Sequence, residues 1–332
     1  MPHTITVEDL DAIRPKLQSL VTERARSLPK FRYCDLRIQI REEKWGAAEN
    51  GEEKASSEDV TIGFGVRLIA QERMSAAGFY GQVLGAADLD RIESIVWEGI
   101  GQAHQRARSN ARKKSQTWRR FPALAHSLDD TFLARVPVAE ATVPATYEVD
   151  PRNVALEETV RMAVDGCKSA TSRARNVLFT AASTSTFLLR ELYLSSDGAN
   201  IDQSFAQTEG FIFVICGSDN GNYELYDSTG HQRGWEVLTR GYHNGPIDLP
   251  DFTTFCRNLG RDASDVAAAP LLKPPDREVP IVTDPNFNTL LVHEVVGHPS
   301  ELDRALKYET AYAGRSWFLK NLHDNQLGQQ IA

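Results

Sequence analysis

Near the end of the chain, residues 290–303 read LLVHEVVGHPSELD and hold His293, Glu294 and His298 within six positions. Imidazole and carboxylate are the side chains that bind zinc and move protons, so this stretch has the types a hydrolytic metal site needs. In the familiar H-E-x-x-H pattern the histidines are four apart on one helical face. Here they are five apart. At ~100° per residue, four positions leave two side chains ~40° apart around the axis and five leave them ~140° apart. A regular helix therefore cannot offer both histidines to one ion, whereas one extra residue in the turn, as in a π-bulge, restores convergence. Gly297 is permissive of unusual dihedrals, and Pro299 disfavours helical geometry at His298, so a break or bulge is expected at the second histidine. The flanking Leu290, Leu291, Val292, Val295 and Val296 suggest an internal site in which Glu294 needs a partner. The alternative is that both histidines are ordinary core or cap residues. Spacing alone leaves that open.

The rest of the chain must position this motif. Its 332 residues, 41% hydrophobic and 25% charged, are the balance of a globular chain long enough for two domains. A net charge of −8 gives no global reason for nucleic-acid binding. No run of 18 apolar residues suggests a membrane span, and the polar N-terminus lacks a signal-peptide core. Four scattered cysteines without a CxxC pair fit free thiols and a cytoplasmic protein.

Helical periodicity marks 7–28, 87–114, 153–171 and 249–268, the first with Pro15 inside it. Alternation marks strands at 34–42, 59–71 and 73–81 and an antiparallel meander over 176–226 with turns at SSDGA and SDNGN. Residues 43–58 look loop-like, and the stretch with Pro122, Pro137 and Pro144 loop-rich. LLKPPDREVP (271–280) reads as a linker, and VPIVTD as a short strand before the motif. The two glycines of GFGVRL (63–68) suggest a bulge or a close backbone approach. Clustered antiparallel strands among helices predict an α+β fold. The expected organisation is an N-terminal α+β domain over 1–270, the linker, and a unit over 281–332 opening on a distorted metal-binding helix. The basic run QRARSNARKKSQTWRR (105–120) reads first as a solvated helix end and second as a contact for nucleic acid or an acidic partner.

Three stretches together resemble one family. LLVHEVVGHPSELDRAL is similar to the H-E-x-x-x-H signature of the TldD/PmbA family, the modulators of DNA gyrase. GFGVRL resembles that family's G-x-G-V-R strand, and SSDGANIDQ (195–203) its S-x-E-G-x-x-x-x-Q hairpin. The resemblance implies a TldD-type zinc metallopeptidase with His293 and His298 as zinc ligands and Glu294 as catalytic base. It also implies peptide substrates and a dimer, either with itself or with a PmbA/TldE-like paralogue. In the family the third ligand is a cysteine in a C-terminal β-rich domain. No cysteine follows Cys256 here, so the chain is expected to be an N-terminal portion lacking that domain, inactive alone and with apolar surface left uncovered. Glu301 and Asp303 are the nearest carboxylates that could substitute. A non-catalytic partner or binding subunit with structural histidines is the competing expectation.

Overall fold

The computed structural model describes residues 5–120, 138–219, 221–301, 304 and 316. Two compact units are formed, Met1–Lys113 with Phe132–Leu271, and Lys114–Thr131 with Leu272–Ala332.

The first unit is built on a large sheet. Helix α1 (Asp9–Ser19) runs on through a π turn (Leu20–Arg24) and a 3-10 turn (Ala25–Ser27). Pro15 is accommodated inside α1. The long hairpin β1 (Phe31–Glu49) and β2 (Glu52–Gln71) follows, then β3 (Ser75–Leu84). Next come α2 (Ile92–Arg120), β4 (Glu140–Val143) and α3 (Leu156–Thr171). The meander β5 (Val177–Ser195), β6 (Asn200–Ser218) and β7 (Gly221–His231) completes the sheet. A short helix α4 (Glu236–Arg240), the small hairpin β8 (Tyr242–Asn244) and β9 (Ile247–Leu249), and α5 (Phe252–Ala268) end the unit. The strand order is β3-β2-β1-β5-β6-β4, with β7 also on β6. Every described pairing is antiparallel except β4 with β6. The fold is α+β with a largely antiparallel sheet, as the patterning predicts.

One face of the sheet carries the core because strand side chains alternate. Leu36, Ile38 and Ile40 of β1, Ile62, Val66 and Leu68 of β2, and Leu192 and Leu194 of β5 pack with Leu10, Ile13 and Leu17 of α1 and Ile92, Val96 and Ile100 of α2. A second cluster joins Ile212, Val214 and Cys216 of β6 to Ala163 and Cys167 of α3, Trp235, and Phe252 and Cys256 of α5. The helices lie close to the strands: a Cβ on Gly46 would stand 2.5 Å from the Val160 backbone nitrogen. All four cysteines are buried and free, and burial pushes the Cys34 thiol up to about 12.

Three sequence expectations need correction. Residues 43–58 are not a loop but the far half of the β1–β2 hairpin, paired from Glu43–Asp59 to Glu49–Glu52. Their polar composition hides the alternation. The turn lies at Asn50 and Gly51, whose φ are positive (52° and 80°) as an Asn-Gly hairpin turn requires. VPIVTD is not a strand; residues 278–284 are irregular until α6 begins. The glycines of GFGVRL make no bulge, for β1–β2 register shifts occur only at Phe31/Tyr33 and Ala47/Ala48; the other alternative holds at Gly63, where a Cβ would stand 3.3 Å from the Gln82 carbonyl oxygen. Of the prolines in the loop-rich stretch, Pro122 and Pro137 lie outside the described residues. No described helix is long and apolar enough to cross a membrane.

Candidate metal centre

Helix α6 (Pro285–Val292) leads directly into the candidate centre in the second unit. Its start is well specified: the Asp284 side chain accepts from the Phe287 backbone N–H at 2.7 Å, and Pro285 occupies the first turn. At His293 the winding changes. Residues His293–Gly297 form a π turn and His298–Ser300 a 3-10 turn. The His298 backbone N–H donates to the His293 carbonyl oxygen, so the five-residue turn is closed by the two histidines themselves. The extra residue is taken up as the geometry demands, and the imidazole rings meet edge-on with centroids 4.4 Å apart. One ligand atom from each of His293, Glu294 and His298 lies within 4.8 Å of the other two.

The means of distortion differ from those expected. Gly297 has ordinary right-handed dihedrals (φ −59°, ψ −67°), and His298 remains helical (φ −58°, ψ −46°) despite Pro299. Pro299 sits in the first turn of the 3-10 segment, where it lacks no needed donor. The widened turn therefore uses no dihedral that a non-glycine residue would avoid.

The setting also differs. Leu290, Leu291, Val292, Val295 and Val296 are 42–59% exposed, and the His293 and Glu294 side chains are each 59% exposed. Glu294 is therefore not a buried carboxylate in need of a partner; among the described residues the His293 Nε2 atom lies 3.9 Å from it. His298 is the more enclosed of the two histidines at 33% and sits against Glu301, whose Oε1 is 2.7 Å from Nδ1.

Two imidazoles and a carboxylate are a donor set suited to zinc and other borderline divalent ions. Ligands ~2.1 Å from a shared ion cannot be more than ~4.2 Å apart. The present spread of up to 4.8 Å stands just beyond that limit, and the His293 and Glu294 side chains are exposed. Among the described residues the cluster has no cysteine.

The other two singled-out motifs serve the sheet. Gly63, Gln39, Glu191 and Gln203 stand opposite one another across β2, β1, β5 and β6. The buried Glu191 carboxylate accepts from Gln39 and, at 2.8 Å, from Gln203, with Arg37 3.3 Å away. Beside this row Gly63, Gly65 and Gly81 floor a shallow groove of about 360 Å3. Arg67 of the G-x-G-V-R stretch donates twice to Asp35. Asp202, in the hairpin motif, accepts from Arg14 and Arg190. In the basic run, Arg106 donates to the Phe79 carbonyl and Arg108 to Glu72, with Arg112 3.7 Å from Glu72.

The chain shares the fold of the TldD/PmbA family, the modulators of DNA gyrase. A solved Bacteroides thetaiotaomicron protein described as a modulator of DNA gyrase aligns over 90% of this chain and 60% of its own length. The TM-score is 0.58 at 10% identity. TldE from Thermococcus kodakarensis aligns over 79% of this chain and 47% of its own, at 12% identity and a TM-score of 0.44, too low to argue from. A Methanothermobacter thermautotrophicus protein named "Metalloprotease" is 28% identical over 126 residues, 37% of this chain and 25% of that protein. No family model matches. The chain thus spans a quarter of the metalloprotease relative, and 47% and 60% of these two solved structures.

Proposed function

We propose that the chain is the metal-binding part of a zinc-dependent metallopeptidase that hydrolyses small or unfolded polypeptides in the cytoplasm. The observation that carries this reading is the π turn that brings His293, Glu294 and His298 to one point. The metalloprotease relative supports it. So does the exposure of His293, with His298 only half-buried, which is not what packing residues of a core would have.

His293 and His298 would hold the ion, with a third ligand from outside the cluster. A bound zinc ion supplies the Lewis acidity that makes water a nucleophile near neutral pH. Glu294 accepts a proton as water adds to the scissile carbonyl carbon, then delivers it to the amine nitrogen as the C–N bond breaks. The exposed position of Glu294 leaves room for an extended peptide beside it. A dimer with itself or with a PmbA/TldE-like paralogue belongs to the same proposal.

The test combines metal titration with peptidase assays on the full-length protein. One equivalent of zinc should bind, with affinity at least tenfold weaker in His293→Ala and His298→Ala. Glu294→Gln should keep zinc and lose peptidase activity. Equal zinc affinity in wild type and both alanine variants would overturn the reading. Retained activity in Glu294→Gln would remove Glu294 from its role.

A further inference from the structure

We infer that Glu301 is a positioning residue that fixes His298 for metal binding by holding the proton on its Nδ1. This rests on the metal-site reading above. It follows from a second change of winding. After the wide turn that aligns the histidines, His298–Ser300 tightens into a 3-10 turn closed by the Glu301 N–H on the His298 carbonyl at 3.2 Å. In a 3-10 turn the side chains at i and i+3 eclipse. Glu301 is therefore set over His298, and its Oε1 comes within 2.7 Å of Nδ1. The backbone leaves the helix at Glu301 itself (φ −59°, ψ 130°).

Two groups face the same imidazole nitrogen. Arg304 Nη2 lies 3.1 Å from Nδ1, and Arg304 also forms an ion pair with the Glu301 carboxylate. Nδ1 either donates to Glu301 or accepts from Arg304. A deprotonated Nδ1 would set a lone pair against a carboxylate oxygen at 2.7 Å, a repulsive contact. A protonated Nδ1 makes a charge-assisted hydrogen bond to Glu301 at that distance and meets the Arg304 N–H only at the longer 3.1 Å, so the shorter contact, to the carboxylate, decides between the two. The proton therefore sits on Nδ1, and the Nε2 lone pair is free for an ion. The Arg304 side chain is only 7% exposed, and its ion pair holds the Glu301 carboxylate beside the histidine. Among the described residues His293 has no such holder, its carboxylate neighbour being Glu294 at 3.9 Å. Carboxylates placed this way typically change metal affinity 10- to 100-fold.

The experiment measures zinc affinity by competition with a chromophoric chelator, the cobalt absorption spectrum, and the histidine tautomer by nitrogen NMR, on wild type, Glu301→Gln and Glu301→Ala. Expected are a 10- to 100-fold loss for Glu301→Ala, a smaller loss for Glu301→Gln because its amide oxygen still accepts, and an unchanged cobalt coordination number. In metal-free Glu301→Ala the His298 ring should lose its fixed Nδ1–H form. Affinity within twofold of wild type, with the tautomer unchanged, would overturn the inference. So would a cobalt spectrum showing one ligand fewer, which would make Glu301 a ligand. His293→Ala and His298→Ala run in parallel separate the two claims: if they bind zinc like wild type, the metal site itself fails; if they lose it while Glu301→Ala does not, only the role of Glu301 fails.

Discussion

The ion-pair network that ties α1 to the sheet offers a sharp test of how the hairpin motif works. Asp202 has a side chain only 5% exposed and accepts from Arg14 Nη1 at 3.1 Å and from Arg190 at 2.9 and 2.7 Å. Replacing it with alanine leaves two guanidinium groups without their main partner. Breaking a buried pair in this way costs about 3–5 kcal/mol. Here Arg14 is 25% and Arg190 15% exposed. Arg14 keeps Asn200 Oδ1, and Arg190 keeps Asp11. Those residual partners bring the expected loss down to about 2–3 kcal/mol, or roughly 30- to 150-fold in the folding equilibrium constant. Urea unfolding followed by circular dichroism at pH 7 measures it. Asp11→Asn, removing a partner that is 67% exposed, is the control and should cost under about 1 kcal/mol. Equal losses in the two variants, or an Asp202→Ala loss below about 0.5 kcal/mol, would refute the assignment of this motif to holding α1.

Two further outcomes follow from the geometry. Gly297→Ala should leave zinc affinity within about twofold and the thermal midpoint no lower, since the residue is right-handed helical and a Cβ would meet nothing closer than the Val292 carbonyl at 3.6 Å. Loss of zinc in that variant would show that the turn needs glycine after all. Stability should also fall on acidification. The Arg190 hydrogen bond holds the Asp11 carboxyl below its usual range, and the Arg108 hydrogen bond does the same for Glu72. A depressed folded-state value stabilises above the unfolded pKa, so the contribution is present at neutral pH and lost as pH falls below about 4 through the lowered values. Denaturation at pH 6 and pH 3 should show a smaller difference in Asp11→Asn than in wild type.

The sequence was most readable where one face of an element is buried. The apolar spacing in α1, α2, α3 and α5 and the alternation in β5 and β6 reported the sheet and its covering layer. It was least readable where pairing, not burial, holds the chain. Residues 52–59 of β2 are largely exposed, so cross-strand hydrogen bonds to β1 define them and no apolar stripe betrays them. The short parallel strand β4 has no local signal at all, since its partner lies 60 positions onward. For the metal centre, the five-residue spacing correctly demanded a widened turn, because the demand is geometric and independent of which residue yields. Placing the strain on Gly297 and Pro299 was mistaken: the π turn spreads it over ordinary dihedrals. Apolar neighbours suggested enclosure, yet pattern alone does not say whether an apolar stripe is covered. The bond from Glu301 to His298 was hidden in the i, i+3 spacing beyond Pro299. Only a 3-10 turn makes that spacing a contact.

The hydrogen bond from the His298 amide to the His293 carbonyl makes the ligand pair and the helix end one cooperative element. Fraying the last turn would part the imidazoles, and an ion that bridges them would oppose fraying. Occupancy and local order are then thermodynamically linked: ligand at a hundred times its dissociation constant adds about 2.7 kcal/mol to whatever holds the turn closed. A solvent-facing helix terminus that would otherwise open readily would, with an ion bound at that concentration, open about a hundredfold less often.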